Sequence, residues 1–234
     1  MIKENPQHIQ AVIFDLDGVL LSTDEYHFLA WKSIADCLGI AFDAQLNNRL
    51  RGVSRMESLE IILAQSYKKF TQQEKTELAE RKNSLYRGYL DRLSPDAVSF
   101  EVRETLIRLK DGGTRLAIGS SSKNAKLILD KTRLTSFFEV ISDGTNIQKS
   151  KPDPEVFLWA ANKLHLPPNR CLVVEDAEAG LEAALSGGFK CAFLGQLNTD
   201  RAGAVSISAL PDIFKHLQRR QQATCRPTAF NTRA

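Results

Sequence analysis

The stretch Ala11-Val-Ile-Phe14-Asp15-Leu16-Asp17-Gly18 decides the fold of this chain. Its first four residues form a short apolar run with no alternation, which suits a strand buried on both faces of a parallel sheet. Four runs of the same kind follow: Arg115-Leu-Ala-Ile118, Phe138-Glu-Val-Ile141, Cys171-Leu-Val-Val174 and Cys191-Ala-Phe-Leu194. Helical patterns with their own start signals lie between them. Ser122 can cap a helix running through Leu127 and Leu129. Asp153-Pro154-Glu155 sets a capping residue, an N1 proline and an acid ahead of an apolar run over 157–164. Strands alternating with helices of this length imply right-handed crossovers and an α/β fold, a doubly wound, Rossmann-like parallel sheet.

One segment, from about residue 26 to 93, breaks that rhythm because no part of it reads as a strand. Phe28, Trp31, Ile34, Ala35 and Leu38 are spaced for one apolar helix face, and Gly39 ends it. Ser54-Arg-Met-Glu57 and Thr71-Gln-Gln-Glu74 both read as capping boxes, each opening a further helix. An all-helical insert after the first strand reads as a lid over the sheet. The expected organisation is an α/β core over 1–24 and 95–218, a helical cap over 25–94, and a frayed tail over 219–234 where periodicity is lost.

Composition sets limits on function. At roughly 150 residues per domain, 234 residues make one large domain or a domain with a sizeable insertion. With 43% hydrophobic and 25% charged residues the chain is an ordinary globular one, which excludes disorder and a disulfide mini-scaffold. A net charge of +3, with acids and bases interspersed, leaves no electrostatic footprint for nucleic acid or an anionic membrane. No apolar run approaches the roughly 20 residues of a membrane span, and residues 1–10 hold no signal-peptide core. Cys37, Cys171, Cys191 and Cys225 show no CxxC spacing and read as thiols of a reducing cytoplasm rather than as disulfides.

The chemistry lies at the strand ends. In a doubly wound sheet, ligands bind beyond the carboxyl ends of the strands, so Asp15 and Asp17 would both face the site. Two acids one residue apart can divide labour as nucleophile and proton carrier; the bland alternative is a turn with acids at a helix start. Ser120-Ser121-Ser122 ends the second strand with hydroxyls and backbone donors, either a phosphate cradle or a plain serine-rich loop. Lys151, taken alone, is equally well a solvated surface lysine. Adjacent acids Glu175-Asp176 at a buried strand end repel each other unless a cation joins them. Hard oxygen ligands without a His or Cys pattern favour Mg²⁺ over zinc. Four strand ends converging in this way make chance a poor explanation.

The order Asp15-x-Asp17-Gly18, Ser120, Lys151, Glu175-Asp176 resembles the haloacid dehalogenase superfamily of aspartyl-phosphate phosphotransferases over roughly residues 10–195. The lid narrows the resemblance. His27 and Trp31, Leu50-Arg51-Gly52-Val53-Ser54-Arg55-Met-Glu-Ser58-Leu, Arg81-Lys82-Asn83, and Ser120-Ser-Ser122-Lys123-Asn124 look like the β-phosphoglucomutase family.

Carried over residue by residue, the resemblance implies that Asp15 takes the phosphoryl group. Asp17 would be general acid/base for the sugar hydroxyl, with its main-chain carbonyl on the metal. Ser120 and Lys151 would hold the transferring phosphoryl oxygens. Asp15, Asp17, Glu175 and Asp176 would bind one Mg²⁺. The substrate-binding set would be His27, Trp31, Arg51, Gly52, Val53, Arg55, Ser58, Lys82, Ser122, Lys123 and Asn124. Arg55 in the first turn of a helix is disfavoured by the macrodipole, which argues for a phosphate ligand rather than a plain surface arginine. His27 is either a lid residue contacting Asp17 or a histidine packed on the core.

Two departures stand out. The family has Asp where this chain has Ser22, although Ser22-x-x-Glu25 can still form a capping box for the lid's first helix. Ser99-Phe-Glu stands where a Pro-Gly turn normally precedes a core helix. The expected activity is interconversion of β-D-glucose 1-phosphate and glucose 6-phosphate, with β-glucose 1,6-bisphosphate as activator and intermediate. The partners would be small sugar phosphates, with no nucleic acid and no membrane, and the enzyme a cytoplasmic monomer. A sugar-phosphate phosphatase and a catalytically silent sugar-phosphate binding protein are the alternatives.

Overall fold

A computed structural model describes residues 8–197 and 201–217. Six strands, β1 (Ala11–Phe14), β2 (Arg115–Gly119), β3 (Val140–Ser142), β4 (Cys171–Glu175), β5 (Lys190–Leu194) and β6 (Ala204–Ile207), form one parallel sheet in the order β3-β2-β1-β4-β5-β6. Every residue of β1 and of β4 is buried, which is why neither run alternates. Phe14 pairs with Ile118 on one side and Val174 on the other, so β1 occupies the point where strand order reverses. A ligand crevice opens at that point beyond the carboxyl ends of the strands, and Asp15 steps directly into it.

Helices cover both faces. On one, Val12, Phe14, Leu116, Ile118 and Val174 pack against α5 (Phe100–Asp111) and α6 (Ala125–Lys131). On the other, Ala11, Ile13, Ala117 and Val173 meet α7 (Glu155–Lys163) and α8 (Glu178–Ser186), with Phe157 and Leu181 fully buried. A Cβ on Gly119 would stand 2.6 Å from the Phe157 ring, so a strand residue without a side chain is what admits this phenylalanine. Burying a ring of that size is worth roughly 2–3 kcal/mol.

Between β1 and β2 the chain is helical only: α1 (Asp24–Cys37), α2 (Ala44–Asn48), α3 (Arg55–Leu63) and α4 (Gln72–Leu90). Trp31, Ile34, Leu59, Ile62 and Ala79 close a separate apolar core among them. Both capping boxes form. Ser54 Oγ accepts from the Glu57 amide at 3.3 Å while Glu57 Oε2 accepts from the Ser54 amide at 2.9 Å, and Thr71 with Glu74 repeats the pattern.

Some expectations need correction. The Ser22–Glu25 capping box does not form: α1 begins at Asp24 behind Thr23, and Ser22 Oγ only accepts from the Asp24 amide at 3.3 Å. Ser122 likewise accepts from the Asn124 amide, and the helix it was expected to cap starts later, at Ala125. The third strand shifts to Val140–Ser142, with Phe138 serving the core instead. β6 and the short α2, capped by Asp43 on the Leu46 amide, lie outside what the pattern announced. Ser99, where a Pro-Gly turn was absent, caps α5 by accepting from the Val102 amide. The expected tail falls outside the described residues, as does Cys225; Cys37, Cys171 and Cys191 are free thiols. Among the described residues no helix is long and apolar enough to cross a membrane.

Candidate active site

β1, β2 and β4 deliver their terminal residues to one point. Lys151, ahead of α7, inserts its fully buried ammonium between Asp15 Oδ1 and Glu175 Oε1, 2.5 Å from each. The Lys151 Nζ also lies 4.8 Å from the Phe157 ring centroid. Burial alone would discharge this lysine, but the two carboxylates outweigh it and hold its pKa above the ordinary value. Asp15 is pushed well up by burial, against the pull of Lys151 and with the push of Glu175 and Asp176. Ser120, 3% exposed, ends β2; its Oγ accepts from the Ser122 amide at 3.2 Å, which folds the serine loop around the same corner.

Glu175, expected among the metal ligands, makes its contacts here to Lys151 and to the backbone. Its Oε1 faces Lys151, and its Oε2 accepts from the amides of Asp176 and Ala177, both at 2.9 Å. It orients the lysine. Gly180 makes the room, because a Cβ there would overlap the Glu175 carboxylate.

Among the described residues no three His, Cys, Asp or Glu side chains gather closely enough to enclose a cation alone. Mg²⁺ does not need such a cage; it binds through one or two carboxylates and keeps several waters. Asp15 and Asp176 fit that pattern. The Asp176 carboxylate lies over Gly18, in space that any Cβ there would occupy, at a φ of +96° that favours glycine. Burial, then the neighbouring Glu175, pushes Asp176 up to about 7. This surplus of buried negative charge is what a divalent cation relieves. Arg51 offsets part of it, with its guanidinium 2.7 Å from Asp24 and 3.2 Å from Asp176.

Asp17 is held by the residue that opens α1. The Thr23 amide donates to Asp17 Oδ1 at 2.6 Å, and the Thr23 hydroxyl donates to Oδ2. Burial pushes Asp17 up to about 6, against those hydrogen bonds, a value suited to proton exchange near neutrality. His27 answers both of its readings: Nε2 lies 3.6 Å from Asp17 Oδ2, and the ring packs on Tyr86 with centroids 4.1 Å apart. Lys82, 2% exposed, is hydrogen-bonded with His27 Nδ1, Nζ lying 2.8 Å away, and this sets the ring so that Nε2 faces Asp17. Burial, then Lys82 and Arg55, hold the His27 pKa well down.

The helices close over this corner to form a cavity of about 1050 Å³. Trp31, Arg51, Gly52, Val53, Arg55, Ser58 and Lys82 line its lid side; Ser122, Lys123 and Asn124 line its core side with Ser120. Gly52, at a φ of +76°, brings its backbone against Ala177, and its carbonyl accepts from Ser121 Oγ at 3.1 Å. Lys82 lies over the Trp31 and Tyr86 rings at 4.9 and 4.6 Å. The cavity thus has an acidic end, at Asp15, Asp17 and Asp176, and a cationic lid wall at Arg55 and Lys82. That arrangement suits a small molecule carrying two anionic groups.

Every residue expected from the sequence reaches the cavity or its immediate support. Thr23, Tyr86 and Gly180 were missed. Thr23 and Tyr86 carry no motif, since their roles arise from contacts with residues distant in sequence. Gly180 in a helix interior did carry a signal, because such a glycine marks close packing.

Comparisons with known proteins place the chain in a family. The sequence profile of the haloacid dehalogenase-like hydrolase family matches residues 9–188. The chain is 44% identical over 190 residues to the β-phosphoglucomutase of Bacillus subtilis, covering 80% of this chain and 84% of that protein. It is 30% identical over 219 residues to a phosphorylated carbohydrates phosphatase of Thermotoga maritima, covering 90% and 99%. Among solved structures, β-phosphoglucomutase from Clostridium difficile superposes with a TM-score of 0.82 at 33% identity, over 89% of this chain and 95% of that one.

Proposed function

The chain belongs to the haloacid dehalogenase-like hydrolase family, in its β-phosphoglucomutase branch, and on that premise we propose that the cavity interconverts β-D-glucose 1-phosphate and glucose 6-phosphate. The enzyme is an isomerase. The observation that carries this reading is the two-ended cavity: a phosphoryl-transfer corner on the sheet and a separate cationic wall on the lid. A hydrolase of sugar monophosphates needs only the first.

Asp15 Oδ attacks the phosphorus of the bisphosphate and becomes the phosphoryl carrier. Lys151 and Ser120 hold the transferring oxygens and compensate their charge, which a loose transition state requires. Asp17 exchanges a proton with the sugar hydroxyl, under the hold of Thr23. Arg55 and Lys82, with Lys123, Ser122 and Asn124, grip the non-reacting phosphate; the arginine fork reads phosphate geometry and serves the 1- and 6-positions alike. Trp31, Val53, Gly52 and Ser58 wall the sugar and exclude water. Members of the family generally use Mg²⁺, and one ion held by Asp15, Asp176 and the Asp17 carbonyl would neutralise the phosphoryl oxygens. In this reading the helical segment over 25–94 is the lid, and among the described residues the core comprises 8–24, 95–197 and 201–217. The enzyme of this proposal is a cytoplasmic monomer.

The test is a coupled assay of β-glucose 1-phosphate with Mg²⁺, with and without glucose 1,6-bisphosphate. Glucose 6-phosphate should form in excess of inorganic phosphate and respond to the bisphosphate. Inorganic phosphate as the main product would establish the phosphatase reading instead.

A further inference from the structure

We propose that the hydrogen bond from Ser150 Oγ to Glu57 Oε2 is the clasp of the closed site, and that it decides whether the phosphoryl group on Asp15 passes to a sugar or to water. The proposal rests on the mutase reading. The two residues lie 93 positions apart and meet at 2.5 Å. Ser150 is in the loop of the α/β core and directly precedes Lys151, which holds the reacting corner. Glu57 is in the first turn of α3 and stands two residues beyond Arg55. One bond therefore ties the loop that carries the catalytic ammonium to the helix turn that carries the lid arginine.

Glu57 is poised for this contact before the lid closes. Its Oε2 already accepts from the Ser54 amide in the capping box, which fixes the side chain in one rotamer. Little further ordering is then required when Ser150 arrives. On the other side of Arg55, the Gly52 carbonyl accepts from Ser121 Oγ at 3.1 Å. The segment from 52 to 57, which runs into the first turn of α3, is thus pinned at both ends, with Arg55 between the pins. The Gly52 pin uses a main-chain oxygen that any sequence would offer, whereas the Glu57 pin exists only because a carboxylate faces a hydroxyl. Glu57 is exposed and Ser150 half-buried, so water can replace either partner when the lid opens. Such a bond closes and releases readily, as a lid must.

The chemistry it governs is one substitution with two possible nucleophiles. An oxygen attacks phosphorus, the bond from phosphorus to the Asp15 oxygen breaks, and the carboxylate is regenerated. The attacking group's proton goes to Asp17. A sugar hydroxyl yields a sugar phosphate, and a water yields inorganic phosphate. A loosened lid admits water without altering any group at the reacting corner.

The experiment measures inorganic phosphate against glucose 6-phosphate for the wild type, Ser150→Ala and Ser150→Thr, with the thermal midpoint of each. Ser150→Ala should raise the phosphate share about tenfold, as expected for losing a hydrogen bond to a charged acceptor. It should also raise KM for the bisphosphate more than it lowers kcat, at an unchanged thermal midpoint. Ser150→Thr, which keeps the hydroxyl, should restore the wild-type ratio. A wild-type mutase whose Ser150→Ala variant keeps the ratio, or loses both products in proportion with a lowered midpoint, overturns the clasp alone. A wild type that mainly releases phosphate overturns the mutase reading and the clasp with it.

Discussion

The hydroxyls of Thr23 and Tyr86 lie 2.8 Å apart, joining the N-cap of α1 to α4 and holding the Thr23 side chain against Asp17. The residue that positions the proposed acid/base is thereby buttressed from the lid. Thr23→Ala removes the side-chain bond to Asp17 and leaves the backbone one. It should lower kcat/KM roughly 10- to 100-fold, the loss expected for a hydrogen bond to a charged group. That bond holds the Asp17 pKa down, so removing it should move the corresponding limb of the pH–rate profile upward from about 6. A limb that moves downward, or an unchanged rate, would contradict the role given to Thr23.

Gly180→Ala places a methyl group where the Glu175 carboxylate now packs. The glutamate must leave Lys151 or the helix must shift. Overpacking of this kind costs about 1–3 kcal/mol, and activity should fall with it because Lys151 loses one of its two anchors. Urea unfolding and the coupled assay check both effects; an unchanged midpoint with full activity would mean that Glu175 is not needed where it stands.

Lys82 carries a charge the fold does not favour. Burial first, then Arg55, depress its pKa well below 10.5, and Asp17 only partly compensates. A lysine lowered in the folded state destabilises the fold wherever the unfolded chain is protonated. The penalty is complete below the folded value and vanishes as pH rises through it toward 10.5. Lys82→Met should therefore be the more stable protein at pH 7, by on the order of 1 kcal/mol, and its advantage should shrink in alkaline urea titrations. Its mutase activity should be lost. An advantage that grows with pH would contradict a depressed lysine.

Ser22→Ala should change stability by less than about 0.5 kcal/mol, as for an ordinary surface site, because no capping box forms there. A loss near 1 kcal/mol in thermal unfolding would show that the box does exist.

How much of this was legible in the sequence follows from the range of the forces involved. β1, β2, β4 and β5 announced themselves because strands with both faces largely buried are apolar nearly throughout, whereas β3, with Val140 and Ile141 only half-buried, was placed two residues early. β6 did not announce itself, since only Ile207 of its four residues is buried. The two capping boxes at Ser54 and Thr71 are local and were read correctly. The one at Ser22 failed because Thr23, drawn to Asp17, took over the helix start. Lys151 was visible only as a motif; nothing local shows that Glu175 will turn toward it rather than toward a metal. His27 could not be settled either, since the Lys82 ammonium that orients its ring lies 55 positions away.

Arg55→Ala removes the fork from the lid wall and leaves the reacting corner untouched. Mutase kcat/KM should fall by about 10²-fold or more, corresponding to roughly 3 kcal/mol for a charge-assisted bidentate contact, and the share of free phosphate should rise. Wild-type efficiency in this variant would remove the distal-phosphate role.

The central claim is that phosphate travels through Asp15, so that a sugar never receives back the phosphoryl group it gave up. Enzyme primed with unlabelled glucose 1,6-bisphosphate should be mixed with β-glucose 1-phosphate carrying radiolabelled phosphate and quenched within a single turnover. The glucose 6-phosphate formed should be unlabelled, with the label on the protein at Asp15 or still in the bisphosphate. Labelled glucose 6-phosphate in that first turnover, or labelled inorganic phosphate, would contradict the account.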